Sequence, residues 1–360
     1  MLLIYLILLL LISWGIFAPQ NRVVFIFLVA ILCFLVFFRD STVGTDVANY
    51  SVNFNVMEDK PTTWNCLIPF EPGFNYLILF FKNNISSNSL NCWGAIGIFY
   101  TVACSCFFRK YTRNKTFAIT LYVLLGTYFL CYNIMRQCFS VAVLLTIFNV
   151  ININNPTRKE LLILLVSIVG CGILFHSTSF AYLILFPYYI PQVQRIFNKK
   201  IVIILLFVSF ICFATKIIIP ILLYFLEHVF VQGKLINYAI RNIQLGEDSG
   251  FSLLKVFMVT SFQIYTIYLT KDMKNIFLYM STFGLLFLNM FAPLVVEFAR
   301  VYELFVIFQI VYFSQLWFLL KNQSLKSFLY KFSLIIYSLF IYLNVLLKNY
   351  GEIVPYEFRF

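Results

Sequence analysis

Arginine, carboxylate and histidine side chains are scarce in this chain, and they gather in short polar blocks between long apolar segments. The first block is Arg39-Asp40-Ser41-Thr42-Val43-Gly44-Thr45-Asp46, closed by Asn49-Tyr50, and Gly44 permits a sharp turn that lets Arg39 and Asp46 face each other. Glu71-Pro72-Gly73-Phe74-Asn75-Tyr76, Asn133-Ile134-Met135-Arg136-Gln137 and Phe175-His176-Ser177-Thr178-Ser179 follow. Later come Arg241, with Lys234 a weaker neighbour, and Glu297, Arg300 and Glu303 spaced i, i+3, i+6 around Tyr302. The chemistry these types offer is specific. A guanidinium fork matches a phosphate, and a carboxylate or imidazole takes a proton from a hydroxyl. Asp46, Glu71 and His176 are therefore the acid–base candidates, and Arg39, Tyr50, Arg136, Gln137, Arg241, Arg300 and Tyr302 are the candidates for holding an anionic substrate.

Each cluster also has a plainer explanation. Arg39 suits a helix end beside a solvated acidic turn, and Glu71 suits a helix start, where the dipole favours a carboxylate. Arg136 can snorkel to the interface, a lone histidine is most often structural, and Glu297, Arg300 and Glu303 fit an ion-pair ladder along one helix.

The elements that must position these groups follow from hydropathy. The chain has 360 residues, 62% of them hydrophobic and 11% charged, with a mean hydropathy of +0.91. Apolar runs of about 18 residues or more span membranes, and in hydrocarbon only helices or closed barrels satisfy the backbone. The runs lack period-2 alternation, so the expected fold is an all-α polytopic membrane protein. About twelve spans are expected, at 2–17, 22–38, 90–108, 116–133, 137–152, 160–175, 178–190, 201–216, 252–270, 275–294, 299–319 and 327–347. Segment 67–82, opened by Pro69 and Pro72, is expected as a re-entrant or interfacial helix, and 217–231 as an interfacial one. The N-terminal run has no basic flank and no small-residue cleavage site, so it is expected as the first span.

Net charge is +12, and its distribution sets the orientation. With the N-terminus outside, the inner loops hold fifteen bases against two acids, and the rest of the chain eleven bases against twelve acids. Cytoplasmic loops carry the excess of Lys and Arg, so the basic balance needs no nucleic-acid partner. The polar blocks, the long connections 39–89 and 217–251, and the tail 348–360 all fall outside, within one transmembrane domain of residues 1–360. The nine cysteines are scattered and mostly apolar in context, which implies neither disulfides nor a metal site. No cofactor is expected.

Taken in order, these clusters resemble the EpsG family, relatives of the Wzy-type polysaccharide polymerases. The matching positions are Arg39 with Gly44-Thr45-Asp46 and Tyr50, Glu71-Pro72 with Phe74 and Leu77, Arg136-Gln137, and His176 with Thr178-Ser179. Arg300 with Phe305 and the ending Pro355-Tyr356-Glu357-Phe358 complete the set, and Thr178 stands where the family usually has serine. The resemblance implies a GT-C-like membrane glycosyltransferase in a bacterial inner membrane with an extracytoplasmic site. It would join oligosaccharide repeats carried on a polyprenyl diphosphate, beside a flippase and a chain-length regulator. By that resemblance Arg136, Arg300 and either Arg39 or Arg241 hold the diphosphate, and Asp46, Glu71 or His176 handles the acceptor hydroxyl. Rival readings are an O-antigen-ligase-like transferase, a transporter or flippase of lipid-linked sugars, and a membrane acyltransferase.

Overall fold

The computed structural model describes residues 2–57, 70–217, 220, 252–292, 296–320, 324–349 and 351–359. Among them the chain is helical, with an isolated antiparallel bridge between Arg39 and Phe358 as its extended pairing. The α-helices are α1 (Leu2–Phe17), α2 (Arg22–Phe37), α3 (Val47–Val56), α4 (Pro72–Asn84), α5 (Ser89–Tyr111), α6 (Lys115–Leu124), α7 (Met135–Val150) and α8 (Arg158–Leu174). They continue as α9 (Leu185–Tyr188), α10 (Pro191–Ile196), α11 (Lys199–Thr215), α12 (Leu253–Leu269), α13 (Ile276–Phe291), α14 (Val296–Leu319) and α15 (Leu325–Lys348). Three stretches, Ser89–Tyr111, Arg300–Leu319 and Leu325–Lys348, are long and apolar enough to cross a membrane, which with the shorter apolar helices makes this an all-α membrane protein.

Polar side chains start the apolar helices where the sequence breaks. Asn21 caps α2 by accepting from the Val23 and Val24 amides, and Asn88 and Asn198 do the same for α5 and α11. Thr157 and Glu160 form a reciprocal capping box at α8.

Two expected spans are not continuous α-helices. The stretch 116–133 is broken: α6 ends at Leu124, Gly126 turns left-handed at φ 80°, and Thr127–Tyr132 form a 3₁₀ turn. The stretch 178–190 is a 3₁₀ helix over Ser177–Ile184 followed by the single turn α9. Segment 67–82 contains α4, whose side-chain core faces α3 and α5, while 67–69 and, apart from residues 217 and 220, the interfacial helix expected at 217–231 lie outside the described residues.

The chain divides into two compact units, Met1–Leu183 with Ser338–Phe360, and Ile184–Tyr337. In the first, α5 is the central helix, packed by α7, α2 and α6. In the second, α13 packs along α14 and against α11. That second unit is threaded by buried polar contacts: Gln263 donates to Ser281 at 3.2 Å, Gln309 donates to Gln263 at 3.1 Å, and Asn289 donates to Ser209 at 3.0 Å. Small hydrogen-bonding side chains of this kind join helices in a medium where apolar packing gives little preference.

Candidate functional site

The best-defined constellation lies in the first unit at the start of α7. Arg136 is the second residue of that helix, and its Nη1 donates to Glu71 Oε2 at 2.7 Å. Glu71 stands at the N-cap of α4 and makes no capping bond, so its carboxylate serves the arginine and not its own helix. Both side chains are about one-fifth exposed, at 23% and 22%. Arg136 Nε donates to the Tyr50 phenol oxygen at 3.4 Å, and the guanidinium carbon stands 4.8 Å over the Phe70 ring. The planar group is therefore held from three directions. Among the described residues these bonds take two of its five N–H groups.

An aromatic box supports the pair. Around the Tyr50 ring lie Phe70 at 5.3 Å, Trp93 at 5.6 Å and Phe74 at 6.3 Å between ring centres. Burial pushes the Tyr50 phenol up and the Asp46 charge adds to the rise, against the pull of Arg136. The phenol therefore stays protonated, a neutral group that accepts from Arg136.

Asp46 is the half-buried N-cap residue of α3, one helical turn before Tyr50. The loop that brings it here is fixed by backbone geometry. Gly44 has φ 114°, and a Cβ placed there would lie 2.3 Å from the Tyr132 carbonyl oxygen. Thr45 Oγ1 donates to Asn133 Oδ1 at 3.0 Å, which ties the loop to the turn just ahead of Arg136. Asp46 and Arg136 thus belong to one assembly although ninety positions separate them.

Arg39 takes a different place. It is 2% exposed, its guanidinium stands 4.8 Å over the Tyr132 ring, and Nη2 lies 3.9 Å from Met135 Sδ. Among the described residues its Nε and Nη1 have no hydrogen-bond partner, and burial pushes the group below its ordinary range. The C-terminal tail covers this region. Asp40 N–H donates to the Glu357 carbonyl at 2.9 Å, Gly44 N–H to that of Glu352 at 3.1 Å, and Arg359 N–H to that of Phe38 at 3.0 Å. The Tyr356 hydroxyl donates to the Leu35 carbonyl.

His176 follows α8 and opens the 3₁₀ stretch. Its Nδ1 accepts the Thr178 backbone N–H at 3.3 Å and shares a 2.7 Å contact with Thr178 Oγ1. An amide only donates, so Nδ1 is an acceptor and the neutral ring carries its proton on Nε2. The stretch is pinned to α7, with Ser179 Oγ 2.6 Å from Ser140 Oγ and the Phe175 and Phe139 rings 5.0 Å apart. Phe139 and Ser140 lie one turn beyond Arg136 on that helix. At Gly73 a Cβ would come within 2.7 Å of the Leu174 carbonyl oxygen, so the start of α4 abuts the end of α8.

The structure therefore gathers Asp46, Tyr50, Glu71, Arg136 and His176 around the first turns of α7, with Arg39 buried beneath the adjoining tail. Gln137 is buried beside Arg136. Arg300 and Tyr302 lie in the second unit. Arg300 is exposed, and the Tyr302 hydroxyl donates to Gln309 at 3.3 Å within the buried polar thread. Arg241 and Lys234 lie outside the described residues. Phe70 and Trp93 were not singled out from sequence, because one aromatic among so many carries no local signal. Among the described residues no three His, Cys, Asp or Glu side chains cluster as a metal would require.

The sequence model of the EpsG family matches residues 22–358. No curated protein and no solved structure is significantly similar to the chain.

Proposed function

The chain belongs to the EpsG family of Wzy-type polysaccharide polymerases, and from that premise we propose that it joins oligosaccharide repeats carried on polyprenyl diphosphate at the extracytoplasmic face of a bacterial inner membrane. A hydroxyl of the acceptor sugar attacks the anomeric carbon of the donor glycan. The new glycosidic bond forms as the bond from that carbon to the diphosphate oxygen breaks, and the diphosphate leaves with the electron pair. The hydroxyl proton passes to a carboxylate.

The observation that carries this reading is the Arg136–Glu71–Tyr50 assembly. A leaving diphosphate gathers negative charge as its bond breaks, and a donor fixed in advance stabilises that charge at no cost of reorganisation. Glu71 and Tyr50 hold the guanidinium in one orientation, so Arg136 is the diphosphate clamp and Glu71 its positioning residue. Glu71 spends its carboxylate on the ion pair. His176, with the proton on Nε2, is arranged to donate and not to accept. Asp46, beside Tyr50 and fixed by the Gly44 turn, is then the base. Gln137, next to Arg136 in the same unit, is a sugar contact on this reading.

The test supplies purified protein with a lipid-diphosphate-linked sugar repeat and measures glycan length. Longer glycans support polymerisation. Transfer onto a lipid core would make the protein a ligase, and a change of leaflet without a new bond would make it a flippase. Arg136→Lys should insert normally yet yield no long polymer, because an ammonium cannot meet Glu71, Tyr50 and the Phe70 face together.

A further inference from the structure

A second constellation of cations lies at the far end of α2 from Arg39. Arg22, the first residue of α2, Arg109 in the last turn of α5, and Lys115, the first residue of α6, line one cavity of about 130 Å³ with Phe25 and Ile26. A single water needs only ~10–15 Å³ measured the same way, so the cavity admits a polyatomic group. Among the described residues none of the three cations has a carboxylate partner. The walls are apolar: Phe25 is buried, whereas Ile26 is 55% exposed on the helix flank.

The three cations are held together by more than composition. Two turns that carry them are bonded to each other: the Thr116 N–H donates to the Pro19 carbonyl at 3.0 Å, and Thr116 Oγ1 donates to that of Asn21 at 2.8 Å. Gln20 Nε2 donates to Asn114 Oδ1 at 3.2 Å. The positive ends of α2 and α6 also point into this region. Three like charges fixed around a cavity repel each other, and an anion relieves that repulsion.

We propose that this cavity binds the phosphate of an anionic membrane lipid, with the acyl chains running along Ile26 and the exposed apolar flank of α2. The shape favours a lipid over free phosphate, because the charges sit at the end of a membrane-embedded helix and one wall opens onto exposed apolar surface. The α2 helix of 16 residues spans about 24 Å at ~1.5 Å per residue. The site is thus separate from the Arg136 assembly and belongs to the opposite leaflet, and it does not depend on the polymerase reading.

The experiment is native mass spectrometry of the full-length protein released from nanodiscs containing phosphatidylglycerol or phosphatidylcholine. Wild type should retain one phosphatidylglycerol selectively. Each basic residue near a lipid surface contributes roughly five-fold in affinity, so Arg22→Gln/Arg109→Gln/Lys115→Gln should weaken retention about a hundred-fold. The control Lys271→Gln/Lys274→Gln removes charge elsewhere and should retain the lipid. If the triple variant does not fold, Arg109→Gln alone, at an exposed position, should still show the five-fold loss. Equal lipid retention in triple variant and wild type, or equal loss in the control, would overturn the site. Displacement of the lipid by millimolar inorganic phosphate would show an anion site with no lipid preference and would overturn the assignment.

Discussion

The Arg136–Glu71 pair gives the sharpest prediction. Glu71→Gln keeps the side-chain shape and one acceptor oxygen but removes the charge that faces the guanidinium at 2.7 Å. A hydrogen bond to a charged group contributes about 1.5–3 kcal/mol. Because both side chains are about one-fifth exposed, solvent screening lowers the expected coupling to about 1–2 kcal/mol. A double-mutant cycle over Glu71→Gln and Arg136→Gln, read by equilibrium unfolding of the purified protein in mixed micelles, measures that coupling. The same four proteins assayed for glycan elongation should show that the double variant is no slower than the worse single one, since the two residues act as one device. Additive effects within about 0.5 kcal/mol, with independent losses of elongation, would refute the claim that Glu71 works through Arg136.

Further outcomes test the remaining geometry. Gly44→Ala forces a side chain onto a positive-φ backbone and into the Tyr132 carbonyl; it should cost at least about 1–3 kcal/mol and reduce elongation, measured by thermal melting and glycan length. Thr178→Ser keeps the hydroxyl that meets His176 Nδ1 and should leave elongation within about two-fold, whereas Thr178→Val should reduce it by roughly ten-fold, the equivalent of one hydrogen bond of about 1 kcal/mol or slightly more. Asp46→Asn should lower the turnover rate far more than the apparent substrate affinity, and equal losses in both would argue for a binding role. Tyr356→Phe removes the hydroxyl bonded to the Leu35 carbonyl and should destabilise by about 1 kcal/mol, seen as increased labelling of a cysteine placed at Ser41.

The helical class was legible because apolar runs are local, and the caps that the structure shows are equally local although they were not read from the sequence. Asn21, Asn88, Asn198 and the Thr157–Glu160 pair mark helix starts within three or four positions. The breaks were harder to see. Residues 127–132 and 177–184 are as apolar as their neighbours, and what shortens the helices is a left-handed Gly126 in one case and a histidine bonded to Thr178 in the other. Hydropathy does not register either. The polar clusters were visible as clusters, and five of the named residues do come together. Their pairing was not visible: Glu71 could equally have capped its own helix, and only the packing of α4 against α8 and α3 turns its carboxylate toward Arg136. The buried, partly unpaired state of Arg39 was hidden for the same reason, since its cover comes from the other end of the chain.

That cover has a consequence for biosynthesis. Thr42 meets Glu357 across 315 positions, so the chain must be made at least as far as that glutamate before the first polar loop receives its seal. Until the tail residues dock, the buried Arg39 lacks the cover that they supply.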